Sequence, residues 1–243
     1  MKIAGLTGLV FGSFFILAPN ALAQNTAAVF GPVVNADAND IEYRAALSPD
    51  GEGRDLFVHR LHYQKAINDD LRWRVVLQGS DLENGDLEFN FVQAELQWQV
   101  RDKADHGWDS AVRLDVRINE GDDTPSLVGL NWTSQKELTE RWRLNTVLLS
   151  GLEVGQDRTD GVFLQSRVQT SYALTDRLRF GGEVFNFYGS TADFAPLGLQ
   201  NHAAGPFLSG KLTKDIGFFV GALFGFTEGA RSQDYRVFVS KAF

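Results

Sequence analysis

The stretch "ALTDRLRF" at residues 173–180 has a near-copy, "ELTERWRL", at 137–144, and looser echoes in "INDDLRWR" at 67–74 and "KLTKDIGFF" at 211–219. Each is a short polar knot followed by residues that alternate in character. After the knots, Leu71, Trp73, Val75 and Leu77 oppose Arg72, Arg74 and Gln78. Trp142, Leu144, Thr146, Leu148 and Leu152 oppose Arg143 and Asn145. Leu178, Phe180, Gly182 and Val184 oppose Arg179 and Glu183, and Ile216, Phe218, Val220, Ala222, Phe224 and Phe226 oppose a run of mostly glycine. Successive side chains on a strand face opposite ways, so a period of two marks a two-faced strand. The knot is then the tight turn that feeds it, with Asp, Asn and Thr side chains bonding the turn backbone.

The same period continues through Trp108–Ile118, Val92–Val100 and Val162–Leu174. It predicts twelve strands centred near residues 43, 61, 75, 94, 113, 130, 147, 168, 183, 207, 221 and 238, with a phase slip at Phe91-Val92 that reads as a bulge. The connections alternate. Those at 68–70, 175–177 and 213–215 are short, and 101–107 and 135–141 are of middling length. The others, near 48–55, 79–86, 119–125, 153–161, 189–201 and 227–233, are seven to thirteen residues long. Short turns at one end and long loops at the other are the habit of outer-membrane barrels. If the N-terminus lies at the short-turn end, Trp73, Trp98, Trp108, Trp132 and Trp142 all fall near one rim, as an interfacial aromatic girdle would place them. The fold class expected is therefore all-β, a closed antiparallel up-and-down transmembrane barrel. A soluble sandwich with the apolar face turned inward is the alternative that composition alone permits.

The chain has 243 residues and no cysteine. Residues 1–23 read as a secretory signal peptide: Lys2, an apolar stretch over Ile3–Leu17, and Ala21-Leu22-Ala23 before a cut at Gln24. A retained anchor is the other reading of this segment. Losing Lys2 leaves 22 basic and 31 acidic groups, a formal charge of −9, which argues against a nucleic-acid partner. Residues 24–243 are expected to form the barrel, with 24–38 either extending the first strand or entering the lumen as a plug.

The last nine residues, "YRVFVSKAF", alternate and end on Phe243, with Tyr235, Val237, Val239 and Phe243 on one face. This strand resembles the signal that Gram-negative outer-membrane barrels present to their assembly machinery, although Lys241 stands where that pattern has an apolar residue. Residues 39–243 resemble small even-stranded outer-membrane barrels, and "LTDRLRFGGEVF" and "GALFGFTEGA" resemble, more faintly, the outer-membrane transporters of aromatic-compound (phenol) degradation loci. The resemblance implies an exported protein of the cell outer membrane whose partners are the assembly machinery, lipid and lipopolysaccharide, and small solutes.

With the apolar face on lipid, alternation turns ten of the sixteen arginines inward: Arg44, Arg60, Arg72, Arg74, Arg113, Arg117, Arg143, Arg167, Arg179 and Arg236. Glu42, Glu95, Asp109, Asp115 and Glu183 accompany them. These ten arginines with Glu95, Asp115 and Glu183 are the pore-lining candidates. A net-positive lumen lowers the barrier for anions, and guanidinium forks suit carboxylate or phosphate. The competing reading is a lumen held shut by Arg–carboxylate and Arg–Gln bonds. The acids lie instead in loops, at Asp50, Glu52, Asp81, Glu83, Asp86, Glu120, Asp122, Asp123, Asp157, Asp160 and Glu228, as a solvated surface or as cation-bridged contacts with lipid headgroups. The longest loop, "GSTADFAPLGLQN" at 189–201, either caps the mouth or packs on its neighbours.

No catalytic or metal site is legible, and no cofactor is implied. The histidine–serine spacing of the outer-membrane phospholipase barrels is absent at all four histidines. His59 and His62 should face opposite ways, His62 as a hydrogen-bonded lumen residue. Passive passage of small solutes, anionic or neutral, is thus the expected function. A closed barrel acting through its acidic loops is the second reading and a lipid-modifying enzyme the third. The oligomeric state is not legible.

Overall fold

The computed structural model describes residues 25–49, 55–82, 85–121 and 123–243. The signal-peptide segment, Asp50, Glu52, Glu83 and Asp122 lie outside the described residues.

The four polar knots are hairpin turns built alike. Thr139 Oγ1 accepts from the backbone N–H of Arg141 and Trp142, at 3.3 and 3.0 Å, and Asn68 Oδ1 from Asp70 and Leu71, at 3.0 and 2.8 Å. Thr213 Oγ1 does the same for Asp215 and Ile216, and Thr175 Oγ1 accepts from Arg177. A side-chain oxygen that satisfies two turn amides fixes the reversal and hence the register that follows.

The strands they punctuate begin with β1 (Asn39–Ser48), β2 (Leu56–Ala66), β3 (Leu71–Leu82), β4 (Glu88–Arg101), β5 (Asp109–Asn119), β6 (Ser126–Glu137), β7 (Trp142–Val154), β8 (Phe163–Thr175) and β9 (Leu178–Ser190). The two-residue β10 (Asp193–Phe194) is only an appendage on β9. Then follow β11 (Asn201–Lys211), β12 (Ile216–Gly225) and β13 (Gln233–Ala242). Apart from β10, twelve antiparallel strands pair in chain order and close where β1 meets β13, with Asp40 opposite Ala242 and Leu47 opposite Tyr235. Closure leaves no free sheet edge, which hydrocarbon would not tolerate. Strands of 10 to 14 residues suffice to cross a bilayer at a tilt.

The twelve expected strands are all present. One connection differs from expectation, and the expected bulge is present. Connection 135–141 shrinks to 138–141, because β6 runs on to Glu137. The phase slip near Phe91 is a bulge at Asn90: Gln78 faces Phe91 but Gly79 faces Phe89, so one residue of β4 has no partner. That extra residue turns the Phe91 ring inward while Phe89 stays outside.

The outer wall is apolar. Leu114, Val116, Leu130, Leu148, Val220, Val237 and Val239 are exposed, Leu130 at 59%, whereas the alternating Arg, Gln and Glu side chains are buried. A water-soluble barrel would show the reverse. The five tryptophans gather at the short-turn rim: Trp108 meets Trp132 edge-on, Trp73 meets Tyr63, and Trp142 leans on Tyr172. Trp132 Nε1 donates to Ser110 Oγ at 2.8 Å, which satisfies its polar tip. Phe243 closes the last strand by donating its N–H to Asn39 O at 2.9 Å.

Candidate functional site

The lumen is where the inward residues converge. Arg44, Arg60, Arg113, Arg236, Glu95, Asp115 and Glu183 are buried in it, and Arg72, Arg74, Arg117 and Arg167 are partly buried beside them. Arg143 and Arg179 sit apart from this group, in the wide mouth at the short-turn end. There Arg143 pairs with Glu137 at 2.7 Å, and Arg179 donates to Ser171 Oγ at 3.0 Å.

Some guanidinium groups find carboxylates. Glu95 takes Arg74 at 3.3 Å and Arg113 at 3.2 Å, Asp115 lies 3.6 Å from Arg113, Arg44 holds Glu42 at 2.6 Å, and Arg236 pairs with Glu183. Glutamines serve others: Arg60 and Arg117 donate to Gln78 and Gln93. Asp40, Glu153 and Asp234 also face inward and were not among the expected lumen acids. They sit near the strand ends, in the inward phase of Glu42 and Arg44, of Asn145 and of Arg236 respectively.

Further donors find backbone acceptors in the N-terminal segment. Residues 25–34 form no strand with β1; they run through the lumen. Their backbone carbonyls accept from every side. Thr26 O takes Arg44 at 3.1 Å, Ala27 O takes Arg236 at 3.1 Å, Ala28 O takes Arg167 at 3.0 Å, and Gly31 O takes Arg72 at 3.3 Å. Thr133 Oγ1 donates to Phe30 O, Gln97 to Gly31 O and Pro32 O, and Val34 N donates to Gln99. The Phe30 ring lies under the Arg113 guanidinium at 3.6 Å. Of the two expectations for this segment, strand extension is therefore overturned.

The lumen is also less polar than alternation implied. Ala27, Val29 and Phe30 pack against Val147, Phe185, Ala203 and Leu223 from β7, β9, β11 and β12. The wall thus meets the segment's backbone with donors from β1, β3, β4, β6, β8 and β13, and its side chains with apolar area from β7, β9, β11 and β12. The signal was present in Val147, Leu149 and Phe185, apolar residues in the inward phase.

Four cavities follow one another along the barrel. The long-loop mouth holds about 630 Å³, bounded by Gln78, Phe91, Arg117, Leu127 and Glu153. Arg117 and Leu127 also bound a neck of about 80 Å³, set among Arg44, Arg60, Arg74, Arg113 and Arg167 with Phe30. Arg44, His62 and Arg74 lead on to a chamber of about 330 Å³, which shares Glu42, Phe219 and Phe238 with the short-turn mouth of about 670 Å³.

The other expected features fall outside this path. His59 faces out, as its spacing from His62 required, with Tyr43 Oη at 2.6 Å and Asp81 at 3.8 Å. His62 faces in, but neither ring nitrogen has a hydrogen-bond partner among the described residues, which corrects the expectation of a bonded lumen histidine. His202 is held by Asn186 and Gln200 rather than by a nucleophile. The long loop stays outside: Phe194, Leu197 and Leu199 are exposed, and Gly229 N reaches Gly198 O across to the 226–232 loop. Among the described residues, no three of the acids and histidines converge as a metal site.

This is the fold of an outer-membrane porin. The KdgM porin, solved in complex with disordered oligogalacturonate, superposes with a TM-score of 0.59 at 13% identity, over 84% of this chain and 99% of that one. The NanC porin gives 0.59 at 13% identity, over 85% and 100%. An outer-membrane channel from Pseudomonas putida F1 gives 0.61 at 11% identity, over 87% and 98%. No protein-family model matches the sequence, and no curated protein matches it. The solved relatives are channels rather than enzymes, and at these identities they establish the architecture alone.

Proposed function

We propose that this chain is a channel of the outer membrane for passive passage of small solutes, with its selectivity set at the arginine neck. The observation that carries the reading is the succession of cavities from mouth to mouth, narrowing once, where six arginines and Phe30 meet. Fixed guanidinium groups in a narrow, poorly hydrated passage favour anions and disfavour cations. The KdgM porin was solved with an acidic oligosaccharide, which is compatible with that preference in a barrel of this architecture. The pore-lining set is Arg44, Arg60, Arg72, Arg74, Arg113, Arg117, Arg167 and Arg236 with Glu95, Asp115 and Glu183; Arg143 and Arg179 act at the short-turn mouth.

Planar-bilayer recording tests this. Unitary steps and a reversal potential displaced toward the anion potential in a salt gradient are expected. Cation preference overturns the selectivity, and silence of both the full chain and a chain lacking residues 25–34 overturns the channel.

One observation favours a second reading. The lumen segment makes enough backbone bonds to hold the barrel closed, and a closed barrel would act through its loops. Specific retention of a partner by the folded barrel, lost on exchanging the acidic loops, supports that reading if both chains are silent.

A further inference from the structure

We propose that Arg60 and Arg117, where the long-loop mouth meets the neck, form a binding site for a dianionic phosphate group, free or carried on a small monoester. The inference deepens the channel reading and rests on it for the anion's route, though not for its chemistry.

These two arginines differ from the rest of the inward set. Every other member reaches a carboxylate or a main-chain carbonyl, on the wall or on residues 25–34. Arg60 and Arg117 reach only neutral amides. Arg60 gives Nε and Nη2 to Gln78 Oε1, and Arg117 gives Nε to Gln93 Oε1 at 2.9 Å. Nη1 of Arg60 and both Nη atoms of Arg117 have no acceptor among the described residues.

The local structure gathers the pair. The bulge at Asn90 turns Phe91 inward, and both guanidinium groups lie over that one ring, Arg60 Cζ at 5.5 Å and Arg117 Cζ at 4.2 Å from its centroid. The ring attracts a cation but offers its N–H groups no lone pair. Two like charges held around one ring in a poorly hydrated place repel each other. The acids of the adjoining mouth do not relieve them. Glu153 accepts from the Thr159 N–H at 2.8 Å, and Glu88 and Glu120 are exposed.

The site therefore lacks an acceptor with two charges and several oxygens. A phosphate group supplies both, and guanidinium donors match its oxygens. A monocarboxylate or chloride offsets only one of the two cations. Phe91 and Arg117 also bound the long-loop mouth, so the body of a monoester would lie in its volume of about 630 Å³.

Calorimetric titration of the full chain folded in detergent, in phosphate-free buffer with protein-free micelles as the blank, tests the site. Inorganic phosphate and glycerol 3-phosphate are expected to bind saturably, with acetate and chloride each weaker by at least about tenfold. Tighter binding of inorganic phosphate names the free ion as the ligand; tighter binding of glycerol 3-phosphate names a monoester. Arg117→Gln should weaken phosphate by about tenfold or more. Arg177→Gln removes the same charge from the short-turn mouth and should leave phosphate binding near the wild-type value. Phosphates bound no tighter than acetate, or equal losses in the two variants, overturn the site. The comparison of anions uses wild-type protein and does not depend on how the variants fold. Selective phosphate binding by a chain that never conducts leaves the site standing and removes the channel, whereas conduction without phosphate selectivity does the opposite.

Discussion

Arg167 donates from Nη1 to the carbonyl oxygen of Ala28 at 3.0 Å, a bond between a wall strand and the chain's own N-terminal segment, which bears no acidic side chain there. Arg44, Arg72 and Arg236 do the same to Thr26, Gly31 and Ala27. Arginines that outnumber their carboxylates would otherwise face one another in a narrow space, and backbone carbonyls answer them as partial negative charges. Because the acceptors are main-chain atoms, the side chains of residues 26–31 are free to meet the apolar wall instead.

Removing residues 25–34 should therefore widen the neck. The expected result in planar bilayers is a severalfold larger unitary conductance with retained folding by heat-modifiable gel mobility. Ala28→Ser, which keeps the carbonyl, should leave the conductance near the wild-type value. An unchanged step size in the deletion would show that residues 25–34 do not restrict the path.

Arg117 bounds both the outer mouth and the neck, lies 4.2 Å over the Phe91 ring, and donates to Gln93 at 2.9 Å. Reversing its charge changes the potential where the path is narrowest. Arg117→Glu should move the reversal potential toward the cation potential, most clearly at low ionic strength, where screening is weak. The exposed loop acid Asp160, reversed to Lys, should move it much less.

Arg236 and Glu183 form a pair whose side chains are almost wholly enclosed. Breaking one side of such a pair leaves an uncompensated buried charge, at a cost of roughly 3–5 kcal/mol. Glu183→Gln should lower the midpoint of urea unfolding from lipid vesicles accordingly. Glu183→Leu with Arg236→Leu should recover part of the loss, because neither charge then remains; an equal or larger loss in the double variant would contradict this account.

Phe219 stacks on Phe238 at 4.7 Å and on Phe207 at 5.3 Å, and that stack depends on Gly181. A Cβ there would approach Thr170 O to 2.1 Å and the Phe207 ring to 2.7 Å, and neither backbone nor ring gives way easily. Gly181→Ala should destabilise the barrel by roughly 1–3 kcal/mol, as overpacking does. Gly198, with nothing within 4 Å of its would-be Cβ, should accept Ala without loss. Unfolding midpoints of the two variants provide the comparison.

Much of this architecture was written in the period of two. Leu71 to Leu77, Trp142 to Leu148 and Tyr235 to Val239 announced an apolar face, and the Thr and Asn of the knots announced the turns, because both signals are local. The path of residues 25–34 was not legible, since their partners are spread over six strands and bond carbonyls that every residue type possesses. The inner phenylalanine stack was hidden for a related reason. Phe207, Phe219 and Phe238 lie on different strands, and only closure of the sheet brings them together over glycines that, read along one strand, look merely permissive. The bulge at Asn90 left a trace because it broke the alternation, yet its use in turning Phe91 under Arg60 and Arg117 depends on tertiary position.

The orientation of the wall is the premise of every lumen residue above, and one pair of substitutions tests it directly. Leu130 stands 59% exposed, and its neighbour along β6, Asn131, is buried and donates to Asp115. The two positions are adjacent in sequence and opposite in facing. Leu130→Arg would place a guanidinium against hydrocarbon near the middle of the strand, at a cost of about 2–4 kcal/mol. Leu130→Ala should cost far less. Asn131→Arg would put the same group beside Asp115 in the lumen, where a carboxylate meets it. Folding yields into vesicles should rank Leu130→Arg well below Asn131→Arg. The reverse order would place residue 130 in the interior and residue 131 on lipid, and with them the entire inward set of arginines would change sides.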